Sequence, residues 1–136
     1  MASFSQNGVY NREAFLYLLE SESKRSERSG HLCQLLLVYW IDVEGRIVQM
    51  DSNVARTVMS ALSRSLRDTD YIGWYHEGRI VGAVLTVLAQ ESMAQVSTHL
   101  QPRVLEIIRA ELGVEKTSHL QIRVCQHHEL ESIETG

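Results

Sequence analysis

The sequence predicts an α/β fold of the α+β sandwich kind, a central sheet of about four strands with helices packed on it, in the element order α-β-α-β-β-α-β. Three observations predict it. Stretches with helical spacing of apolar residues alternate with β-rich runs. One of those runs, "HLCQLLLVYWID", is almost continuously apolar, as strands covered on both faces are. A third pair of segments, "DYIGWY" and "RIVGAVLTVL", flanks "HEG", the composition of a short hairpin loop in which glycine supplies a positive φ. With 136 residues, 44% of them hydrophobic, and a single proline, the chain is long enough to bury roughly two-thirds of its surface without disulfides or metal. No internal repeat, low-complexity segment or linker divides it, so residues 1–136 are read as one domain.

The elements follow in order. From Asn11 to about Ser29 the spacing predicts a helix, with Phe15, Leu18, Leu19 and Glu22 on one face, Asn11 as N-cap and Gly30 as its stop. The opposite face, within "ESESKRSERS", alternates charges as a solvated surface does. After the apolar strand, "EGR" is a turn. "MDSN" then offers capping side chains for a second helix from Val54 to about Leu66, with Val54, Val58, Ala61, Leu62 and Ser65 in register. The hairpin comes next. A third helix starts at about Met93 or Thr98 and runs through "QPRVLEIIRAELG", with Pro102 in its first turn and Gly113 closing it. "SHLQIRVCQH" alternates Leu120, Ile122 and Val124 with polar residues and reads as a strand with one wet face. The tail "HELESIETG" reads as frayed.

Composition narrows the function. A net charge of −4 supplies no broad attraction for nucleic acid or an anionic membrane surface. Cys33 and Cys125 lie inside apolar runs and are read as reduced, small hydrophobes. "MASFSQNG" lacks the pattern of a signal peptide, and the longest apolar run, "LLLVYWI", is far short of the roughly 20 residues of a membrane span. A cytoplasmic location is therefore expected.

Three stretches, in order and in register, carry a family resemblance. "NREAF", Asn11 to Phe15, is similar to the "NRxxF" that opens the first helix of the GGDEF domain, the diguanylate cyclase module of bacteria. "RSERSGHLCQLLLV" resembles that family's basic helix end, glycine and first strand. "LSRSLRDTDYIGWYHEGRIVGAVL" aligns without a gap to "LxxxxRxxDxxxRYGGDEFxxxL". The resemblance spans about residues 11–125 and implies a class III nucleotide cyclase-like fold, its sheet mostly antiparallel, truncated before the family's last helix and strand.

The same alignment implies lost chemistry. The signature positions hold His76, Glu77, Gly78, Arg79 and Ile80, so His and Glu replace the paired glycines that let GTP approach the backbone, and Arg79 stands where the family has a metal-binding acid. An arginine cannot ligate magnesium, which requires anionic or neutral oxygens. The first strand's metal carboxylate is replaced by Tyr39, with Trp40 beside it; only a slip toward the strand end brings in Asp42. The guanine-reading Asn and Asp have no clear counterparts, Asp51 or Asn53 being the nearest. The expectation is a degenerate domain with no catalytic residues, no metal and no cofactor.

One motif persists. "RDTD", Arg67 to Asp70, lies at the spacing of the family's inhibitory RxxD site, where cyclic di-GMP binds. An arginine fork matches phosphate or guanine edges, and an aspartate accepts from guanine N–H groups. The same four residues also make ordinary helix-end and turn chemistry, and Arg103 is the one candidate for a second arginine. Elsewhere, "CQHHE" at Cys125 to Glu129, with His119 nearby, lacks a second ligand pair at zinc spacing. His76 and Glu77 read as a solvated turn rather than an acid–base pair. If Trp74 and Tyr75 straddle the hairpin, one of them faces outward as an interface anchor. The function expected is that of an inactive GGDEF-like regulatory or scaffolding module acting by self-association or protein docking, with a homodimer favoured by an open sheet edge. The alternative is a cyclic di-GMP receptor using Arg67 and Asp70.

Overall fold

The computed structural model describes residues 9–29, 32–66, 70–87 and 93–126. In chain order the elements are β1 (Val9–Tyr10), α1 (Arg12–Ser29), β2 (Leu32–Ile41), β3 (Ile47–Val48), α2 (Ser52–Ser65), β4 (Tyr71–His76), β5 (Ile80–Val87), α3 (Met93–Leu112), α4 (Val114–Thr117) and β6 (Leu120–Gln126). All seven expected elements are present. The additions, β1, β3 and α4, are each too short to leave a period in the sequence.

The six strands form one sheet in the order β1-β4-β5-β2-β3, with β6 also on β2. Every pairing is antiparallel except β1 with β4. Central strand β2 explains the layering. Leu35, Leu36, Leu37 and Val38 are all fully buried, and alternate residues point to opposite faces. Leu36 and Val38 pack with Val54, Val58, Leu62, Val104 and Ile108 from α2 and α3. Leu35 and Leu37 pack with Phe15 and Leu19 of α1. Helices thus cover both faces, α1 on one and α2 with α3 on the other.

Local chemistry places the helices. Asn11 Oδ1 accepts the Ala14 N–H at 2.8 Å, and its carbonyl accepts the Phe15 N–H at 2.9 Å, which starts α1 where the sequence expects it. Phe15, Leu19 and Glu22 are its buried side chains, and Glu22 is bonded to Arg25. Gly30, the expected stop, lies outside the described residues. Asp51 Oδ1 accepts the Val54 N–H at 2.8 Å and caps α2.

Pro102 is a correction. Because α3 begins at Met93, the proline lies in the helix interior and not in its first turn. It removes the N–H that would return to Thr98, a loss usually worth about 3 kcal/mol or more. Burial of Val104 and Ile108 just beyond it holds the helix on the sheet, so tertiary packing outweighs local preference. Gly113, at φ 89°, ends α3 and donates to the Arg109 carbonyl. β6 then has the expected wet face, with Gln121 and Arg123 exposed and Leu120 buried.

α1 meets the sheet at an unusually close point. Gly73 of β4 and Gly82 of β5 are opposite each other, and the Phe15 ring covers both. A Cβ on Gly73 would lie 2.7 Å from Phe15 Cδ1 and 2.8 Å from the Tyr10 carbonyl oxygen; one on Gly82 would lie 2.7 Å from Phe15 Cζ. A different local feature sits on β2. Gln34 is 1% exposed, and neither amide atom has a hydrogen-bond partner among the described residues. At the other end of β2, Asp42 builds the turn to β3. Its Oδ1 accepts the Glu44 and Arg46 N–H groups, both at 2.9 Å, and its own N–H and C=O bond Arg46 and Gly45. The Arg46 N–H does most to hold its carboxyl below the usual 3.8.

Four outcomes are expected from urea and acid unfolding. Phe15→Ala should cost about 3–5 kcal/mol, and Gly82→Ala, which adds one methyl beneath the ring, about 1–3 kcal/mol; neutral behaviour of Gly82→Ala would contradict the close packing. Gln34→Leu should stabilise, by about 1–3 kcal/mol, because the desolvated amide disappears. Asp42 contributes fully above the ordinary carboxyl value, and this contribution is lost as pH falls through its depressed folded value. Asp42→Asn should therefore make the acid loss of stability below about pH 4 shallower, while the remaining side-chain oxygen preserves the turn.

Candidate functional site

The hairpin that carries the signature residues is irregular at its tip. Strand β4 pairs with β5 through Tyr71↔Val84, Ile72↔Ala83, Gly73↔Gly82 and Trp74↔Val81, and then the register shifts so that His76 faces Ile80. Tyr75 is the inserted residue, a β-bulge of the kind that re-aims side chains near strand ends. Its ring is 2% exposed in the α1-side core and meets the His76 imidazole edge-on, centroids 5.2 Å apart. Trp74 points the other way and is half-buried against the core beneath α2 and α3. Neither aromatic is therefore an outward anchor. The expectation of one fails because both faces of this sheet are covered by helices.

The turn itself is Glu77-Gly78-Arg79. The Arg79 N–H donates to the His76 carbonyl at 3.0 Å, and Gly78 takes φ 75°, the left-handed conformation the sequence expects of it. The turn is bound to the rest of the fold from two directions. Glu77 Oε1 accepts the Arg12 backbone N–H at 2.9 Å, and Arg12 Nε donates to the Tyr75 carbonyl at 2.9 Å. On the other side the Gly78 carbonyl accepts the Met50 N–H at 2.7 Å. Glu77 and Arg79 are exposed, His76 is half-buried, and Ile80 is a core residue at 3% exposure. Arg12 is the participant that sequence reasoning missed, since no local pattern links it to a turn 65 positions away.

Next to the turn, Tyr39 of β2 is directly opposite Ile80, so the strand position nearest the signature carries a phenol, with Trp40 following. Trp40 stacks on His119, centroids 5.2 Å apart and planes 16° from parallel, while the Ile41 N–H donates to the His119 carbonyl. His119 thus packs and positions the start of β6. Asp42 does not reach back toward the turn; its side chain is engaged in the β2–β3 turn described above. Asp51 is the α2 cap, and Asn53 is exposed in the first turn of α2.

This donor set does not fit a divalent cation of the kind the fold family uses. Such ions take carboxylate or carbonyl oxygens, whereas the positions that would supply acids hold a phenol, Tyr39, and a guanidinium, Arg79. Among the described residues no group of three or more His, Cys, Asp or Glu side chains is placed to hold a metal. His127, His128 and Glu129 lie outside the described residues, as do the tail and Arg67, Asp68 and Thr69 of the RDTD segment. Asp70, the last residue of that segment, is half-buried immediately before β4, and Arg103 is exposed on α3. Among the described residues no helix is long and apolar enough to cross a membrane.

No protein-family model and no curated protein matches the chain. Solved structures do. The GGDEF domain of DgcB from Caulobacter crescentus, in complex with c-di-GMP, matches with a TM-score of 0.58 at 18% identity, covering 96% of this chain and 84% of that one. A sensory box/GGDEF family protein from the same organism gives 0.62 at 16% identity, covering 90% and 81%. The diguanylate cyclase SiaD from Pseudomonas aeruginosa, in complex with its activator SiaC, gives 0.65 at 21% identity, covering 96% of this chain and 54% of that one. This chain therefore spans about half of that SiaD chain. Identities this low speak for architecture alone. A helix-covered, mostly antiparallel sheet with the β4–β5 hairpin beside β2, matched along nearly the whole chain, gives this protein the nucleotide cyclase-like fold of GGDEF domains.

Proposed function

We propose that this chain is a non-catalytic GGDEF-like module that regulates or scaffolds a bacterial signalling system by self-association or by docking to another protein. The observation that carries this reading is the turn. Glu77 occupies a position where the resemblance calls for glycine, and its carboxylate is bonded to the Arg12 N–H instead of leaving backbone open to a triphosphate. Two-metal phosphoryl transfer needs acidic ligands on both sides of the reacting phosphates, and Tyr39 and Arg79 supply none. SiaD, of the same fold, is found with an activator protein, which supports protein docking as a use of this architecture.

A second reading, reception of cyclic di-GMP through Arg67 and Asp70, draws on the position of Asp70. It lies before β4, at the opposite end of a strand of 6 residues from the turn, about 20 Å away at normal strand rise. A side-chain change at the turn is therefore made far from Asp70. The c-di-GMP complex of DgcB supports this ligand for the fold.

The test is calorimetric titration of the purified chain with cyclic di-GMP, alongside incubation with GTP and magnesium and analysis of the products. The proposal expects no cyclic dinucleotide from GTP; a measurable rate of formation would overturn it. Micromolar binding of cyclic di-GMP that disappears in Arg67→Ala would establish the second reading. Absence of heat would leave sedimentation and pull-down to identify the protein partner.

A further inference from the structure

We infer that the Glu77-Gly78-Arg79 turn is a clasp joining the N-terminal ends of the two helices on opposite faces of the sheet, so that displacement of one is felt at the other. The inference goes beyond the proposed function and holds whether or not the chain binds cyclic di-GMP. It rests on where the backbone donors at these helix starts find their acceptors.

The first N–H groups of a helix have no acceptor within it. In α1, the Asn11 side chain serves one of them, taking the Ala14 N–H, while its carbonyl accepts the first regular helical bond, from the Phe15 N–H. Arg12 is served from the turn, by Glu77 Oε1. A carboxylate there also faces the positive end of the helix dipole. The bulge at Tyr75 adds a second link, because the Tyr75 carbonyl is turned to Arg12 Nε. On the other face of the sheet, the Gly78 carbonyl accepts the N–H of Met50, the residue before the α2 cap Asp51. Gly78 also packs on the Gln49 side chain, 3.4 Å from where its Cβ would stand. Glu77 and Gly78, adjacent in the chain, therefore serve helices of opposite layers.

The approach to α1 is held to the same hairpin. Val9 and Tyr10 pair in parallel with Ile72 and Gly73 of β4, and the chain then passes through Asn11 to Arg12. A force that lifts β1 from β4 pulls on Arg12 and through it on the turn, and the coupling is reciprocal by linkage. A partner that binds at β1 or at the start of α1 thereby has a route to the start of α2.

Amide hydrogen exchange of the full chain, followed by NMR, tests the clasp. The variants are Glu77→Ala and Glu77→Gln, with the Leu36 amide in central strand β2 as the gauge of global stability. Glu77→Ala should speed exchange of the Arg12 amide and also of the Met50 amide by about tenfold relative to Leu36, corresponding to about 1.4 kcal/mol of local opening. Glu77→Gln, which keeps an acceptor oxygen, should restore most of the protection at both. Faster exchange at Arg12 alone would make Glu77 a local cap and overturn the inference. So would equal acceleration at Leu36, or no change at either helix start.

Discussion

The structure depends on how closely α1 approaches the β4–β5 hairpin, and that approach is set by Phe15 lying over Gly73 and Gly82. Two glycines opposite each other on neighbouring strands remove the side-chain layer that normally separates a helix from a sheet. The ring then rests on backbone, with van der Waals contact in place of a gap that any Cβ would fill. Arg12 precedes Phe15 by three residues, less than one helical turn, so the depth of the ring fixes the height of the helix start above the strands. At this height Arg12 reaches both the Tyr75 carbonyl and the Glu77 carboxylate. The bonds that define the hairpin tip thus depend on a packing contact two residues down each strand.

The tip shows how chemistry and structure compete for the same backbone. Paired glycines in a turn leave N–H groups accessible to an anion. Here the available space is used differently. Glu77 brings its own anion to the start of a helix, Gly78 provides the left-handed residue the turn requires, and the Gly78 carbonyl serves Met50. Arg79, exposed, closes the turn through its N–H to the His76 carbonyl. Each polar group of the turn that has a described bond directs it toward the protein, which stabilises the fold.

Much of this was legible in the sequence because burial follows period. The four buried positions of α2, the cap Asn11, the capping stretch "MDSN" that contains Asp51, the doubly covered β2 and the single wet face of β6 all follow from spacing and side-chain type. Gly78 was legible as the residue with positive φ. Other features had no local signal. β1 and β3 have two residues each, too few for alternation to be visible. The helix start at Met93 was one of the two the sequence offered, but Pro102, read as part of the first turn, lies in the interior, because Val104 and Ile108 are held by the sheet and the helix continues through the proline. The inward turn of both Trp74 and Tyr75 requires knowing that helices cover both faces. The link from Arg12 to Glu77 joins two polar residues on distant segments, and only the Phe15 contact brings them together. Arg67, the cation of the RDTD segment, falls outside the described residues.

The two ends of β4 obey different constraints. At the tip, every substitution is weighed against the Arg12 and Met50 bonds and against the bulge that presents the Tyr75 carbonyl. At the start of the strand, Asp70 immediately precedes β4, and the buried face of α2 is formed by Val54, Val58, Ala61 and Leu62. Between the ends lie Ile72, Gly73 and Trp74, whose pairing with β5 fixes both in one rigid register. A strand gripped at its centre by the glycine pair and Phe15 isolates the chemistry of one end from that of the other in local detail, while still transmitting a displacement of the whole hairpin. Rigid-body shifts need a stiff, well-packed centre, and the glycine pair under Phe15 supplies one here.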